Sequence, residues 1–301
     1  MKTVPVKTTL REFVAFRSDG CRLAAGAANG DLTVWDTTHA RAPRLIVRRQ
    51  GPGIHAAAWN PSATGLLATA SVDGNVAIWR SAEDRPMQLL SGSSDRLRSP
   101  RFVGWLRDGG ALYCVTANGH AAIWQPQYPD AIAHSSERVH QAVVAAYSMR
   151  DSVAVITRDG WNCRWDPSTN GWQSTRLGAG LVTTSTASSL LLAVARDDGS
   201  IEILDHDLRL LDAVHTGGPG PSAMAFSGDS RLLVVALPDG DVMAFDPTGA
   251  VRWRFRCTAR VPTTLAVAAG LVALGGSAAA PRLIGLDDGT MLHSAGAVRG
   301  R

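Results

Sequence analysis

Lysine is nearly absent from this 301-residue sequence. Lys2 and Lys7 are the only two, so 28 of the 30 basic residues are arginines. A phosphate-binding P-loop needs a glycine-rich turn that ends in a lysine, and the position of both lysines within the first seven residues excludes one. The arginines, in contrast, supply side chains that bind carboxylates and other anions through two parallel hydrogen bonds.

Cysteine is also scarce and dispersed. The four cysteines, Cys21, Cys114, Cys163 and Cys257, are far apart and form no CxxC pair. Each lies in or beside an apolar, strand-like run, so we expect four buried free thiols. Neither a disulfide framework nor a metal scaffold is needed to fold a chain of this length.

Long hydrophobic runs are missing too. The longest nearly charge-free stretch, residues 265–276, has twelve residues, whereas a membrane span needs roughly twenty. We expect two buried strands joined at Gly270 instead. Because the N-terminus has no continuous apolar segment and no small-residue cleavage site, a secretory signal is not predicted. The sequence therefore predicts a cytoplasmic protein without a membrane partner.

What the sequence does contain is a repeated segment in a composition typical of folded proteins, 45% apolar and 19% charged. In six places an Asn-Gly or Asp-Gly pair is followed, five residues after its glycine, by a large apolar residue. These segments are NGDLTVWD (29–36), DGNVAIWR (73–80), NGHAAIWQ (118–125), DGWNCRWD (159–166), DGSIEILD (198–205) and DGDVMAFD (239–246). The large apolar residues, here called anchors, are Trp35, Trp79, Trp124, Trp165, Leu204 and Phe245, and Leu286 fits as a seventh without the turn.

The anchors recur about every 42 residues, a period typical of propeller repeats. A second landmark holds the same phase, since an aromatic residue precedes five of the anchors by 18 to 20 residues; these are Phe16, Trp59, Trp105, Tyr147 and Phe226. Two landmarks in phase over five units indicate seven structural repeats.

Each repeat is predicted to form a sheet of four antiparallel strands. Asn-Gly and Asp-Gly suit type I′ turns, in which both central residues have positive φ, so we expect such turns between the second and third strands. A sheet with two apolar faces buries them only against its neighbours, and radial closure leaves short protected edges. The prediction is an all-β, seven-bladed β-propeller over residues 1–301. The outer strand of the last blade is either residues 4–8 or residues 291–294.

The second repeat, WNPSATGLLATASVDGNVAIW, and the VWD and RWD endings (34–36 and 164–166) resemble WD40 repeats. This resemblance implies a platform for other macromolecules and a buried network of a turn Asp, a Ser or Thr, a Trp and a His. Asp73, Ser71 and Trp79 fit three of those roles, and residues 157, 159 and 165 do likewise. The Gly-His pair of the family is absent, and His55 falls within an inner strand.

Two C-terminal segments, FDPTGAVRWRF (245–255) and LDDGTML (286–292), resemble blades of quinoprotein-like propellers. That resemblance raises the alternative of a propeller enzyme, or a small-molecule sensor, with a pocket at the channel mouth. The motif is partial and no metal set accompanies it, so no cofactor is predicted.

Catalytic and metal motifs are otherwise absent from the sequence. SGDSRL (227–232) superficially resembles an esterase block but occupies the position of a turn between the first and second strands. His134 and His140 have no third ligand nearby, and the acids at 205–207 are too few for a calcium loop. We therefore predict no metal site and no enzyme. A catalytic pair of carboxylates contributed by two different blades stays an alternative, because sequence motifs do not test it.

The predicted topology sorts the charges onto two ends of the ring. Loops from each outer strand to the next inner strand share one end, the top, with the turns between second and third strands. Arginines dominate there, while acids dominate the bottom, so the molecule is electrically polar. The arginines predicted to contact a partner are Arg48, Arg49, Arg96, Arg98, Arg101, Arg138, Arg158, Arg196, Arg256 and Arg260.

These features predict a non-catalytic scaffold or regulatory subunit that docks a protein partner, with an acidic segment, on its arginine-rich top. A nucleic-acid-associated adaptor is a weaker alternative, because stacking on nucleic acid needs exposed aromatics. Only Trp161, Trp172 and Trp253 fall outside the predicted blade cores.

Overall fold

The structure is a computed structural model that describes most of the chain. The described residues are 13–26, 30–38, 45–49, 53–62, 65–80, 86–91, 100–126, 128–134, 139, 142–149, 152–246, 248–257, 261–276 and 281–294. For residues 45–49, 89–91, 128–134 and 293–294 this description covers the backbone alone. A helix that could cross a membrane is not found among the described residues.

The described residues form 28 strands in seven sheets. Blades 1 to 4 consist of β1 (Phe13–Phe16), β2 (Arg22–Gly26), β3 (Asp31–Asp36), β4 (Leu45–Arg49); β5 (Ile54–Trp59), β6 (Leu66–Ser71), β7 (Asn75–Arg80), β8 (Gln88–Ser91); β9 (Pro100–Trp105), β10 (Leu112–Thr116), β11 (Ala121–Gln125), β12 (Tyr128–His134); and β13 (Val143–Met149), β14 (Ser152–Thr157), β15 (Trp161–Asp166), β16 (Gly171–Arg176). Blades 5 to 7 consist of β17 (Val182–Ala187), β18 (Leu192–Arg196), β19 (Ser200–Leu204), β20 (Leu210–His215); β21 (Ala223–Phe226), β22 (Leu233–Ala236), β23 (Asp241–Phe245), β24 (Val251–Arg256); and β25 (Thr264–Ala268), β26 (Leu271–Gly275), β27 (Arg282–Gly285), β28 (Met291–Ser294).

Every sheet is a four-stranded antiparallel meander in sequence order. The first strand of each blade contacts the first strand of the next, and β25 of blade 7 contacts β1 of blade 1. The sheets therefore form a closed ring, which confirms the predicted seven-bladed propeller. The outer strand of blade 7 is β28, within residues 291–294; residues 4–8, the other predicted candidate, lie outside the described residues.

Apolar side chains fill the seven interfaces between blades, each with its own buried cluster. The interface of blades 2 and 3, for example, buries Ile78 of one sheet against Trp124 of the other. Blade 7 closes on blade 1 through Ala273, which packs with Val14 and Trp35. Because each sheet has an apolar face on both sides, the core is distributed around the ring.

The anchors lie where the repeat predicts. Trp79, Trp124 and Trp165 are at most 1% exposed, and Leu204 and Phe245 are nearly as buried. The inner-strand aromatics add hydrogen bonds between blades, since Trp59 Nε1 donates to Ala15 O at 3.0 Å and Trp105 Nε1 donates to Ala58 O at 3.0 Å. These aromatics therefore bind neighbouring sheets to each other by packing and by hydrogen bonding.

The turns between second and third strands differ from the type I′ prediction. In blades 2 to 6 only the glycine has a positive φ, from 83° at Gly119 to 95° at Gly240, and the Asp or Asn before it does not. The glycine N–H donates to the carbonyl three residues earlier, as from Gly74 to Ser71 at 3.1 Å. This is a type I turn followed by a left-handed glycine. The Asn-Gly and Asp-Gly pairs of these blades therefore form turns, as predicted. The Asn or Asp, however, lacks the positive φ that a type I′ turn requires.

The buried network implied by the WD40 resemblance is only partly present. Thr157 Oγ1 donates to Asp159 Oδ1 at 2.6 Å, as implied, but the Trp165 indole N–H donates to Asn170 Oδ1 at 3.0 Å. In blade 2, Trp79 Nε1 donates to Thr69 Oγ1 at 2.8 Å, two residues before the implied Ser71. The role of the tryptophan thus varies from blade to blade.

The predicted pair of strands at residues 265–276 is confirmed, and the prediction of buried free thiols is confirmed for three of the four cysteines. Residues 265–276 form β25 and β26, joined by Ala269 and Gly270, which both have positive φ. All four cysteines are free, three of them are buried, and Cys21 is partly buried.

Trp79 and Trp124 provide a matched pair for testing the indole hydrogen bond. The Trp79 N–H has a buried acceptor, while the buried Trp124 Nε1 has no hydrogen-bond partner among the described residues. Changing either tryptophan to phenylalanine removes similar volume, but Trp79→Phe also removes a buried hydrogen bond to the Thr69 hydroxyl. Trp79→Phe should therefore lower the free energy of unfolding by about 1–2 kcal/mol more than Trp124→Phe, measured by urea denaturation. Equal losses would show that the bond adds nothing.

Candidate partner-binding surface

The top face, as defined by the structure, is the end of the ring that carries the turns between second and third strands and the connections from each outer strand to the next blade. Of the ten arginines predicted there, the side chains of four are described, Arg101, Arg158, Arg196 and Arg256. Arg48 and Arg49 end β4 with only their backbone described. Arg96, Arg98, Arg138 and Arg260 lie outside the described residues.

Arg196 is buried, which corrects its assignment to the partner surface. It ends β18 with 3% of its surface exposed. Its guanidinium donates to Leu177 O at 2.9 Å and Gly180 O at 3.3 Å, and pairs with Glu202 at 2.6 Å. Because three acceptors occupy this group, Arg196 fixes the connection between blades 4 and 5 and is not accessible to a partner.

Arg256 is exposed but partly neutralised. Its Nη1 lies 2.8 Å from Asp241 Oδ1 and 3.6 Å from Asp239 Oδ2. Both carboxylates belong to the neighbouring turn and strand of blade 6, so this arginine adds less positive charge to the top than the sequence alone suggests.

Most turn aspartates of the top face accept hydrogen bonds from their own turns, as expected from the sequence. Asp73 accepts from the backbone and side chain of Asn75, and Asp159 accepts from Thr157. Ser200 donates to Asp198 and is the main reason that the pKa of this carboxyl is lowered. These acids therefore have fewer lone pairs to offer a partner.

Three exposed residues, Arg158, Arg176 and Leu181, lie with the half-buried Trp161 on the top of blade 4, and this group is here called the Trp161 surface. Arg176 pairs with Trp161 across β15 and β16, with its guanidinium carbon 5.4 Å from the indole centroid. Leu181 is 45% exposed, and the adjacent Val182 N–H donates to Arg158 O at 2.7 Å. Neither Arg158 nor Arg176 forms an ion pair with a described residue.

The turn below this cluster is fixed by side-chain hydrogen bonds. Thr157 Oγ1 accepts a hydrogen bond from the backbone N–H of Trp161 at 3.0 Å and donates one to Asp159 Oδ1 at 2.6 Å. The sequence predicts Trp161 outside the blade cores but does not pair it with Arg176. The pairing depends on the register of β15 against β16, which the sequence does not give. Trp172 instead stacks on Trp165, and Trp253 is buried with its N–H on Leu286 O.

Arg101 lies at the start of β9, beside His55 near the start of β5. Burial, and then the charge of Arg101, lower the pKa of His55. The half-buried imidazole is thus held in its neutral form near the top end of the inner strands, outside the tryptophan network discussed above.

The other sequence motifs are confirmed as turns. Ser227 donates to Asp229 at 2.7 Å between β21 and β22, and Asp205 accepts the backbone N–H groups of Asp207 and Arg209 after β19. In the described part of the chain, no three His, Cys, Asp or Glu residues come together in a group that could hold a metal ion. The side chains of residues 134 and 140 lie outside that part.

Comparison with known proteins gives a family match over one segment of the chain. The model of the WD40 family (WD domain, G-beta repeat) matches residues 45–80, which comprise β4 of blade 1 and the first three strands of blade 2, β5 to β7. Among solved structures, the chain is similar to the β-propeller domain of Cps50 (Swd1) from Myceliophteria thermophila, with a TM-score of 0.73 over 90% of this chain and 95% of that one. The two are 14% identical, so this likeness shows the fold alone.

Curated relatives match over shorter segments. Protein transport protein SEC31 of Dictyostelium discoideum is 22% identical over 49% of this chain and 10% of its own length. Outer membrane protein assembly factor BamB of Bordetella pertussis is 34% identical over 32% of this chain and 24% of its own. U3 small nucleolar RNA-associated protein 15 of Saccharomyces cerevisiae is 32% identical over 30% and 18%. The chain thus spans less than a quarter of each relative's length.

The two kinds of top-face arginine predict different effects on stability. Arg196→Met leaves Glu202 and two carbonyls without their donor, so it should lower the free energy of unfolding by about 2 kcal/mol or more. Arg158→Met, at an exposed turn, should change it by less than about 0.5 kcal/mol. Denaturant titrations of both variants measure the difference. A harmless Arg196→Met would contradict its structural role.

His55 should make stability depend on pH. Its pKa is lower in the folded than in the unfolded chain, so the unfolded chain binds the extra proton first, and stability falls as pH drops below the ordinary histidine value of about 6.5. Between pH 7.5 and pH 5.5, the midpoint of thermal unfolding should therefore fall less in His55→Gln than in the unmodified chain. Arg101→Gln should reduce the pH dependence in part. Identical pH profiles in all three proteins would refute this.

Proposed function

We propose that this WD40-repeat-like, seven-bladed β-propeller is a non-catalytic interaction scaffold that docks a protein partner on its top face. The relatives that match parts of the chain are named for protein transport, outer membrane protein assembly and association with small nucleolar RNA, which is consistent with a role in assemblies. The cytoplasm is the location that we propose for it.

The Trp161 surface is the observation that carries this proposal. The Arg176 guanidinium lies over the Trp161 indole, and the surface also holds Arg158 and an exposed leucine. Neither arginine has an ionic partner among the described residues. Tryptophan and arginine are enriched among the residues that dominate binding energy at protein interfaces. One part of the Trp161 side chain packs on the core cluster of blades 3 and 4, and the Arg176 guanidinium lies over its ring. A tryptophan fixed in this way beside exposed arginines favours a contact site.

The partner segment is proposed to be acidic. Arginine binds carboxylates with paired hydrogen bonds, and an arginine stacked on tryptophan is already held in place for such contacts. The proposed site extends from Arg158 to the other predicted arginines, except the buried Arg196: Arg48, Arg49, Arg96, Arg98, Arg101, Arg138, Arg256 and Arg260. Complementary charge would raise the rate of association and make it salt-dependent.

Charge reversal on the Trp161 surface tests the proposal. In an affinity purification, the double variant Arg158→Glu, Arg176→Glu should lose the proteins that co-purify with the unmodified chain. Arg252→Glu, an exposed arginine of β24 in blade 6 that belongs to neither proposed binding site, is the control and should retain them.

Unchanged recovery by the double variant would refute docking at the Trp161 surface. Recovery of nuclease-sensitive RNA in place of protein would favour the nucleic-acid adaptor. A bound small molecule in native mass spectra would favour the pocket-bearing enzyme or sensor.

A further inference from the structure

At one position of the repeat, the residue type in blade 4 differs from that in the other six blades. The residue before each anchor faces the next blade, and in six blades it is apolar or glycine: Val34, Ile78, Ile123, Ile203, Ala244 and Gly285. The first five are at most 7% exposed. In blade 4 this residue is Arg164, which is exposed. Packing therefore does not explain why an arginine stands at this interface.

A cleft of about 570 Å³ opens at this position, between blades 4 and 5 on the bottom face. Tyr147 of blade 4 and Leu191 and Leu208 of blade 5 give it an apolar lining, and Arg164 lines its side. Clefts of a few hundred Å³ hold a small ligand or several side chains. Leu190, the neighbour of Leu191, is 58% exposed, so apolar surface continues onto the face around the cleft.

Leu208 is held in a backbone conformation that leucine disfavours. Its φ is 62°, and the equivalent turn of blade 6 has Gly249 at 77°. Both turns have the same bonds, since the residue's N–H donates to Asp205 O in one and Asp246 O in the other. A bulky residue with positive φ is strained, and such strain is typical of binding sites. The leucine in place of glycine adds apolar surface to the cleft.

Three carboxylates, those of Asp166, Asp205 and Asp207, line the cleft together with Arg164. Hydrogen bonds from Ser168, and to a lesser extent the charge of Arg164, lower the pKa of Asp166. The side chain of Arg164 is exposed. It forms no ion pair with a described residue within 4.0 Å. In contrast, Asp166 Oδ1 accepts from the backbone and hydroxyl of Ser168, and Asp205 Oδ1 accepts two backbone N–H groups of its turn. Arg107 crosses from blade 3 to donate to Ser189 O at 2.6 Å and bounds the cleft.

We propose that this cleft is a second binding site, which takes a peptide segment of a protein partner with a leucine-like side chain next to a carboxylate. The apolar side chain packs on Tyr147, Leu191 and Leu208, and the carboxylate pairs with the Arg164 guanidinium. The exposed Leu190 beside the cleft favours a protein segment over a small free acid. This site lies on the opposite end of the ring from the Trp161 surface and does not depend on it.

Fluorescence anisotropy with three labelled hexapeptides tests the proposal. Their central pairs are leucine–glutamate, leucine–lysine and serine–glutamate, in otherwise identical sequences. The unmodified chain should bind the leucine–glutamate peptide at least roughly tenfold more tightly than the other two, since each lacks one of the two contacts. Equal binding of all three, or binding of none, would overturn the proposal.

Variants locate the site. Arg164→Glu should reverse the preference, so that the leucine–lysine peptide binds more tightly than leucine–glutamate. Arg164→Ile, which restores the residue type of the other blades, should raise thermal stability while it abolishes leucine–glutamate binding. Arg252→Glu, on β24 of blade 6 and outside both proposed sites, is the matched control and should bind as the unmodified chain does.

A second substitution tests the lining without changing charge. Leu208→Gly relieves the positive φ and should remain folded, as a thermal melt would show, but it should weaken the leucine–glutamate peptide. Unaltered peptide preference in Arg164→Glu would overturn the assignment, as would a loss of binding in Arg252→Glu equal to that in Arg164→Glu.

Discussion

A sheet that is apolar on both faces cannot be stable alone, and this constraint organises the whole molecule. Each blade buries one face against the preceding blade and the other against the following one, so seven separate clusters replace a single core. The ring has to close, because an open array would leave two apolar faces in water. Closure here joins β25 to β1 by side-chain packing between complete sheets. The free energy of folding is accordingly shared among similar interfaces.

The same constraint decides where binding can occur. Strand interiors are occupied by packing, so turns and strand ends at the two ends of the ring hold the residues that are free to vary. Sequence position on the top face is nevertheless insufficient to define a binding residue. Arg158 and Arg196 both lie at top-face turns, yet one is exposed and the other is enclosed by carbonyls and Glu202. What separates them is the path of the connection at residues 177–181, which covers Arg196.

The propeller was predictable because its signal repeats: the anchors and inner-strand aromatics recur in phase, and random sequence does not sustain two such periods. Features that depend on local geometry within one repeat were less predictable. Asp-Gly is compatible with two turn types, and the type I turn with a left-handed glycine is the one adopted. The hydrogen bond of Trp165 to Asn170 depends on a positive φ at Asn170 that no pattern signals. The Trp161 and Arg176 contact required the strand register.

In a repeat protein, packing between repeats explains the residues that follow the repeat pattern. A residue that departs from the pattern requires a different explanation, such as binding. Departures concentrate around blades 4 and 5: an arginine replaces the apolar residue at the interface, a leucine takes a left-handed position, and a buried arginine secures the connection above them. Arg196 holds the upper end of this junction with hydrogen bonds, so the lower end can remain open without separating the blades. A rigid upper contact and an incompletely filled lower interface are complementary requirements for a cleft between two sheets. The junction of blades 4 and 5 is thereby the part of the ring in which the sequence serves more than closure.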